Sequence, residues 1–401
     1  MFFLMMKAKK IGLVTHPLCG NYGGMLQAYA LYTMLETLGV KPRLVTVPGH
    51  FWRCLALQYR CGLRMEALRR LLKDVAIFCV VFFRGSHVRK RYHFSTLWML
   101  IQSWCFRRRF LPHVISPRRA GEGAADAFVV GSDQVWRVLY ARMIADAGFF
   151  FLDFASKRQR ERSVAYAASF GTDAWEGDEE ETVRCRALVR DFRALSVREG
   201  SGVDLCERVF GCPAVQMPDP TFLPELSAYD AVMGRYREPW GSVAPAERSS
   251  RVLAVYLLDG CVGFSREEFL GVAGRQGYAE EWVEAAPTSR QRFRRLRPTV
   301  ARWLYVFKHA DAVVTDSFHG CVFSILFNKP FVCLGNGGRG SARFETLFRT
   351  FGLAGRLVSE GGPDEVFRVL AEPVDWESVN ARVLEERQRG LDFLRRFVAE
   401  L

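Results

Sequence analysis

Asp316-Ser317-Phe318-His319-Gly320 brings an acid, a hydroxyl, an imidazole and a glycine into five consecutive residues, between the apolar runs Ala312–Thr315 and Cys321–Phe327. A plain connection between buried segments has no need of three polar side chains. Imidazole is the side chain poised for proton transfer near neutral pH, so His319 is a candidate acid/base group, or equally a phosphate ligand. Asp316 either orients His319 or caps the helix that follows. Ser317 is a phosphate donor or a second cap. Gly320 belongs to the same turn, whose helix N–H groups suit an anion. A second histidine, His16, lies in the loop HPLCGNYGG at 16–24 and is an alternative base.

Other polar residues also stand where apolar runs stop. Arg198 follows Ala194–Val197, and a guanidinium fork fits a carboxylate or phosphate bidentately. Its bland alternative is an ion pair with Glu199 or Asp219. Arg343, beyond the glycine-rich segment Gly335–Gly340, is a second candidate anion binder. Asn21, Tyr22 and Gln27 flank the glycine-containing loop and face sugar or donor, unless Asn21 merely holds the loop by its own turn hydrogen bonds. Ser132, Asp133, Gln134 and Trp136 form a candidate sugar-binding set, with carboxylate and amide for hydroxyls and indole for a ring's apolar face. Trp136 is equally a core residue. Asp219 and Thr221 precede a linker-like stretch and read as hinge residues.

These positions imply a scaffold. Lys10–Thr15 reads as a buried strand, Met25–Leu38 as a helix closed by Gly39, and Arg43–Val47 as the next strand. The first βα turn carries neither GxGxxG nor a Walker sequence, so no nucleotide motif supports it. Ala127–Gly131, Ser163–Ala168, Ala194–Val197 and Ala214–Met217 bring the count to five or six parallel strands, a doubly wound domain over 1–225. Residues 226–250, rich in Pro, Gly, Ser and charge, read as a linker. A second α/β domain then spans 251–374, with a helix over Pro298–His309, a strand Phe331–Leu334, a helix Ser341–Phe351 and a short strand Arg356–Val358. A charged helix over 375–401 ends the chain. Ligands of open α/β sheets sit beyond the carboxyl ends of the strands. The expected fold is therefore α/β, with two Rossmann-like domains facing a cleft in a GT-B-like arrangement.

The 401 residues exceed one typical core. Eleven cysteines without CxxC or Cys/His zinc spacing point to reduced thiols and no metal. The net charge of +13 is local: residues 50–119 hold 15 Lys/Arg against Glu66 and Asp74, and the rest is close to neutral. This segment, with the aromatic run Phe94–Phe106, reads as a helical insertion with a solvated basic rim, or as an interfacial element resting on the inner face of a membrane. It lacks any helix-turn-helix or RNA-binding motif, so nucleic acid is not an expected partner. The apolar start spans six residues, and the run Val75–Phe83 nine, against about 20 for a bilayer. A cytoplasmic protein, peripheral at most, is expected.

Seven stretches resemble the polysaccharide pyruvyl transferase family in order: NYGGMLQAYALYTMLETLG at 21–39, VVGSDQVW at 129–136, FFLDFASKRQRERSVAYAASFG at 150–171, LSVREGSG at 195–202, PDPTFL at 218–223, DAVVTDSFHGCVFSILFNKPF at 311–331 and RFETLFRTFGLAGRLV at 343–358. Each is weak alone; together they cover most of the chain outside the basic insertion and the linker. The resemblance implies transfer of a pyruvyl group from phosphoenolpyruvate to a sugar of a surface polysaccharide or its lipid-linked precursor, giving a pyruvate ketal, with no cofactor. It implies catalytic His319 and Asp316, and donor contacts from Arg198, Ser317, Gly320 and Arg343. Acceptor contacts fall to Asn21, Tyr22, Gln27, Ser132, Asp133, Gln134 and Trp136. Phe318 stands where some members have another residue. The competing readings are a GT-B glycosyltransferase using a nucleotide sugar and a non-enzymatic binder of acidic polymers.

Overall fold

The structure is a computed structural model that describes residues 8–18, 20–46, 94–237, 249–258, 263–283, 299–335 and 342–401, with the helix backbone alone over 94–100. The readings placed on Arg64–Lys73, Val75–Phe83, the Arg89-Lys90-Arg91 cluster, Pro298 and most of Gly335–Gly340 lie outside the described residues.

Two all-parallel sheets are formed. The first is built from β1 (Lys10–Val14), α1 (Tyr22–Thr37), β2 (Lys41–Val45), α2 (Phe94–Phe110), β3 (Val114–Ile115), β4 (Ala127–Val130), α3 (Val138–Ile144), β5 (Val164–Ala168), α4 (Glu179–Val189), β6 (Ala194–Val197), α5 (Gly200–Leu205) and β7 (Val215–Gln216). Its strand order is β3-β2-β1-β4-β5-β6-β7. Among the described residues it has seven strands rather than the expected five or six. The extra one, β3, falls inside the segment read as an insertion: Val114 and Ile115 pair with Leu44 and Val45, so that segment rejoins the sheet before it ends. β4 is buried on every residue, as a parallel strand covered on both faces must be.

α6 (Leu226–Met233) follows, so the stretch expected as linker opens with a helix. The second sheet contains β8 (Arg251–Tyr256), β9 (Tyr278–Trp282), β10 (Ala312–Thr315), β11 (Phe331–Leu334) and β12 (Leu357–Val358), ordered β12-β11-β10-β8-β9. Around it lie α7 (Arg266–Arg275), α8 (Val300–His309), α9 (Phe318–Leu326), α10 (Ala342–Phe351) and α11 (Pro363–Ala371). β9 had no signal in the sequence reading, because Glu280 and Glu281 interrupt its apolar pattern.

α1 is the hinge pin between the sheets. Most of its residues are buried, which explains a sequence with no polar face. The Tyr22 ring lies 6.4 Å from Tyr256 and 6.3 Å from Trp303 of the second domain, and the Tyr29 hydroxyl donates to the Ala228 carbonyl. The terminal helix α12 (Trp376–Ala399) ties the domains a second time. Arg382 donates to the Thr350 carbonyl at its start. Further on, Arg387 and Arg389 donate to the Phe222 and Gln216 carbonyls of the first domain. Gly390 lets it approach closely, since a Cβ there would lie 2.4 Å from the Tyr166 hydroxyl. The architecture is thus two Rossmann-like α/β domains facing a cleft, GT-B-like as expected.

Candidate functional site

The strand order of the first sheet reverses between β1 and β4, and the loops leaving these two strands bound a crevice. One side chain clamps that crevice. Gln27 of α1 donates to Thr15 Oγ1 (2.8 Å) and accepts from the Ser132 N–H (2.9 Å), joining the exits of β1 and β4. Asn21 is the N-cap of α1: its Oδ1 accepts from the Gly24 N–H at 3.0 Å. Gly23 and Gly24 are consequently the first helical turn and not part of a loop. The free end of the Asn21 amide reaches Asp133 Oδ2 at 3.2 Å. Asp133 itself sits at φ +62°, a left-handed conformation that Asp tolerates, and its Oδ1 accepts the following Gln134 N–H.

Arg198 stands at the exit of β6, buried, between two carboxylates. Its Nη1 donates to Asp219 Oδ2 at 2.9 Å, and its Nη2 lies 3.9 Å from Asp133 Oδ1. Nε and Nη2 have no hydrogen-bond partner. The Phe318 ring of the second domain covers the guanidinium, 4.2 Å from Cζ. Asp219, at the exit of β7, is the centre of the cluster. Its Oδ1 accepts from the Thr221 N–H and hydroxyl (3.0 and 2.7 Å). Its Oδ2 meets Arg198, the Ser132 hydroxyl (3.3 Å) and His319 Nε2 (3.4 Å). Burial alone would raise the Asp219 carboxyl, but His319, Arg198 and Thr221 outweigh it and hold it far below the usual carboxylate range. Asp133 is likewise held low against its burial by His16, Arg198 and His319. Burial pushes His16 down, despite the nearby Asp133.

His319 enters from the second domain in the first turn of α9. Ser317 is the N-cap, accepting from the Gly320 N–H. A Cβ on Gly320 would lie 2.3 Å from Thr315 Oγ1, so the turn itself requires glycine. A Cβ built on Gly23 would lie 2.1 Å from His319 Nδ1, which places the first turn of α1 directly on the imidazole. Two helix N-termini, from different domains, converge on one histidine. Beside them is a small cavity of ≈ 20 Å³ between the domains, room for about one water, lined by Arg198, Asp219, Phe318, Arg343 and Thr346 among others. Arg343, buried in the first turn of α10, thus shares a cavity with Arg198.

Several expected positions fall elsewhere. Asp316 does not orient His319: its Oδ1 accepts from the Leu258 N–H at 2.7 Å, joining the exits of β10 and β8, and the carboxylate at His319 is Asp219. Trp136 is 1% exposed, its ring stacks 5.1 Å from Phe151, and its Nε1 donates to the Phe150 carbonyl, so it offers no face to a sugar. Tyr22, Gln27 and Ser132 are turned inward and act as clamps. Gln134 Oε1 accepts from Arg137. Of the expected acceptor set, Asn21, Ser132 and Asp133 remain at the cluster. Asp219, read as a hinge, and Gly23 are the residues missed. Asp219's signal was its place at a strand exit, the same signal that marked Arg198.

No curated protein matches the chain in sequence. Among solved structures, it is similar to Arabidopsis thaliana UGT89C1 complexed with UDP-L-rhamnose, at 12% identity and TM-score 0.48 over 98% of this chain and 100% of that one. It is also similar to the trehalose-6-phosphate phosphatase N-terminal domain of Candida albicans (9%, 0.48, 100% and 98%). A third is the glycosyltransferase SnogD from Streptomyces nogalater (12%, 0.46, 98% of each). The polysaccharide pyruvyl transferase family model matches residues 21–338, which include every member of the cluster from Asn21 to His319, and the chain belongs to that family.

Proposed function

We propose that this transferase moves the pyruvyl group of phosphoenolpyruvate to a sugar of a cell-surface polysaccharide, or of its lipid-linked precursor, and closes a pyruvate ketal. The observation that carries the reading is the meeting of His319 and Arg198 on one carboxylate, Asp219, where two helix N-termini converge. Phosphoenolpyruvate brings a phosphate and a carboxylate, and the cluster answers with the unpartnered N–H groups of Arg198, with Arg343, and with the positive ends of α1 and α9. His319 as imidazolium gives its proton to the methylene carbon, which makes the adjacent carbon electrophilic. A sugar hydroxyl adds there and yields its proton to the same imidazole. The imidazolium so regenerated protonates the phosphate, which leaves as hydrogenphosphate, and a second hydroxyl attacks the resulting cation and returns its proton to the imidazole to close the ketal. Asp219 stabilises the imidazolium, and the fixed dipoles around it need no reorganisation during the step.

Incubation of the protein with phosphoenolpyruvate and a glycan acceptor tests this. Phosphate release that requires both, with the acceptor gaining a pyruvate ketal by mass spectrometry, is the expected result. Turnover of a nucleotide sugar, with phosphoenolpyruvate left intact, would overturn it.

A further inference from the structure

We propose that helices α2 and α3 form a docking face for an anionic lipid bilayer, beside the mouth of the candidate site. The described residues expose nine large hydrophobic side chains, and five of them lie on these two helices: Ile101 and Trp104 on α2, Leu139, Tyr140 and Met143 on α3. The other four are single residues on four different segments. Scattered apolar residues need no explanation, but a cluster does.

Both helices are held by their opposite faces. Ser103 of α2 is buried and accepts from the Gly20 N–H at 3.0 Å, while Phe106 and Phe110 pack on Tyr29 at 6.2 and 5.4 Å. That leaves Ile101, Trp104 and Arg108, spaced three and four residues apart, as an outward stripe. On α3, Val138, Ala141 and Ile144 point into the core, and the Tyr140 ring meets His16 edge-on at 6.2 Å. The two helices therefore meet the connection from β1 to α1 at two points, α3 at His16 and α2 at Gly20. Both contacts lie where the chain leaves β1, on the side of the domain where the strands exit and the cluster lies.

The charge fits the same partner. Arg107, Arg108 and Arg109 form the last turn of α2, and the Arg108 guanidinium lies over Trp104 at 5.2 Å. Arg142, on α3, is paired with Glu181, so the available cations are those of α2. An indole and thioether on the apolar side, with guanidinium groups at the level of phosphate headgroups, is the pattern of a helix lying in a bilayer interface. The proposal rests on the preceding reading only for its purpose, which is to bring a lipid-linked acceptor to the site. Its geometry stands without it.

The test uses the full chain and vesicles of phosphatidylcholine, with or without phosphatidylglycerol. Wild-type protein is expected to co-sediment with the anionic vesicles alone and to be released by salt. R108E with R109E should lower the partition by more than about 25-fold, at about fivefold for each arginine charge removed. Trp104→Gln and Met143→Gln should each lower it less, and Leu384→Gln, on a distant helix, should leave it unchanged. Pyruvyl transfer to a lipid-free acceptor should be the same in every variant, which separates failure at the membrane from failure of the chemistry. Equal binding to neutral vesicles, binding unaffected by these substitutions, or a dimer that Trp104→Gln dissociates would overturn the proposal.

Discussion

The two sheets finish their strands differently. In the first domain the exits of β4, β6 and β7 deliver Asp133, Arg198 and Asp219 to a single buried point. In the second, the exits of β8 and β10 are spent on each other: Asp316 accepts from the Leu258 N–H and Ser317 caps α9, and the residues of that turn that reach across are Phe318, over Arg198, and His319, beside Asp219. The ion pair Arg198–Asp219 is built into one domain, and the candidate acid/base imidazole beside it comes from the other.

Removing the second domain's imidazole should have the largest effect. His319→Ala is expected to lower kcat/KM by about 10²–10⁴-fold, the range for a lost acid/base group. A rate within a few-fold of wild type in the phosphoenolpyruvate assay would remove His319 from the chemistry.

Asp219→Asn attacks the comparison from the first domain and should cost both activity and stability. Breaking a buried pair at one partner costs about 3–5 kcal/mol, because the other charge stays buried; here Asp133 still faces Arg198, so the low end is expected. The loss must also depend on pH. An acid whose folded pKa is depressed stabilises the fold above its unfolded value, about 3.9, and that stability is lost as pH falls toward the folded value. The difference in melting temperature between wild type and D219N should be widest near pH 7 and narrow below about pH 4. A constant difference across that window would mean that Asp219 carries no charge worth stabilising.

The strand exits were legible because buried runs ended in charged or polar residues, and Arg198, Asp133, Ser132 and His319 were all found that way. The partner of His319 was not. Asp316 is three residues away and Asp219 is in another domain, yet a strand-end side chain beside a sheet's crossover points to the neighbouring strand. His319, one helical turn on, faces the opposing domain. Trp136 failed for a different reason, since a platform and a core indole have the same composition and differ only in what Phe151 and Phe150 do around them. β3 was hidden because two residues are too short to show a period. Gly23 gave no sign of its role, as the constraint on it is a contact with a residue about 300 positions away.

Gly23→Ala sharpens the interface between the domains. In a helix interior, alanine in place of glycine ordinarily adds up to about 1 kcal/mol. Here the new methyl would overlap the imidazole, so His319 or α1 must shift. A displacement near 1 Å of a reacting group costs about 10²-fold in rate. The expected outcome is a folded protein, as stable as wild type to within about 1 kcal/mol, whose kcat falls by about one to two orders of magnitude. Unchanged kcat would show that α1 does not hold His319 during turnover.

The smallest effect should come from Asp316, and it distinguishes the two aspartates. Asp316→Asn keeps an acceptor for the Leu258 N–H at the crossover of the second sheet, so stability and rate should both stay close to wild type. Asp316→Ala leaves that N–H without this acceptor and should cost about 1–3 kcal/mol, read by urea denaturation, with kcat reduced no more than stability requires. If Asp316 instead oriented His319, Asn would lower kcat while barely moving the unfolding midpoint. That would place the charge of the site in both domains and remove the division between them.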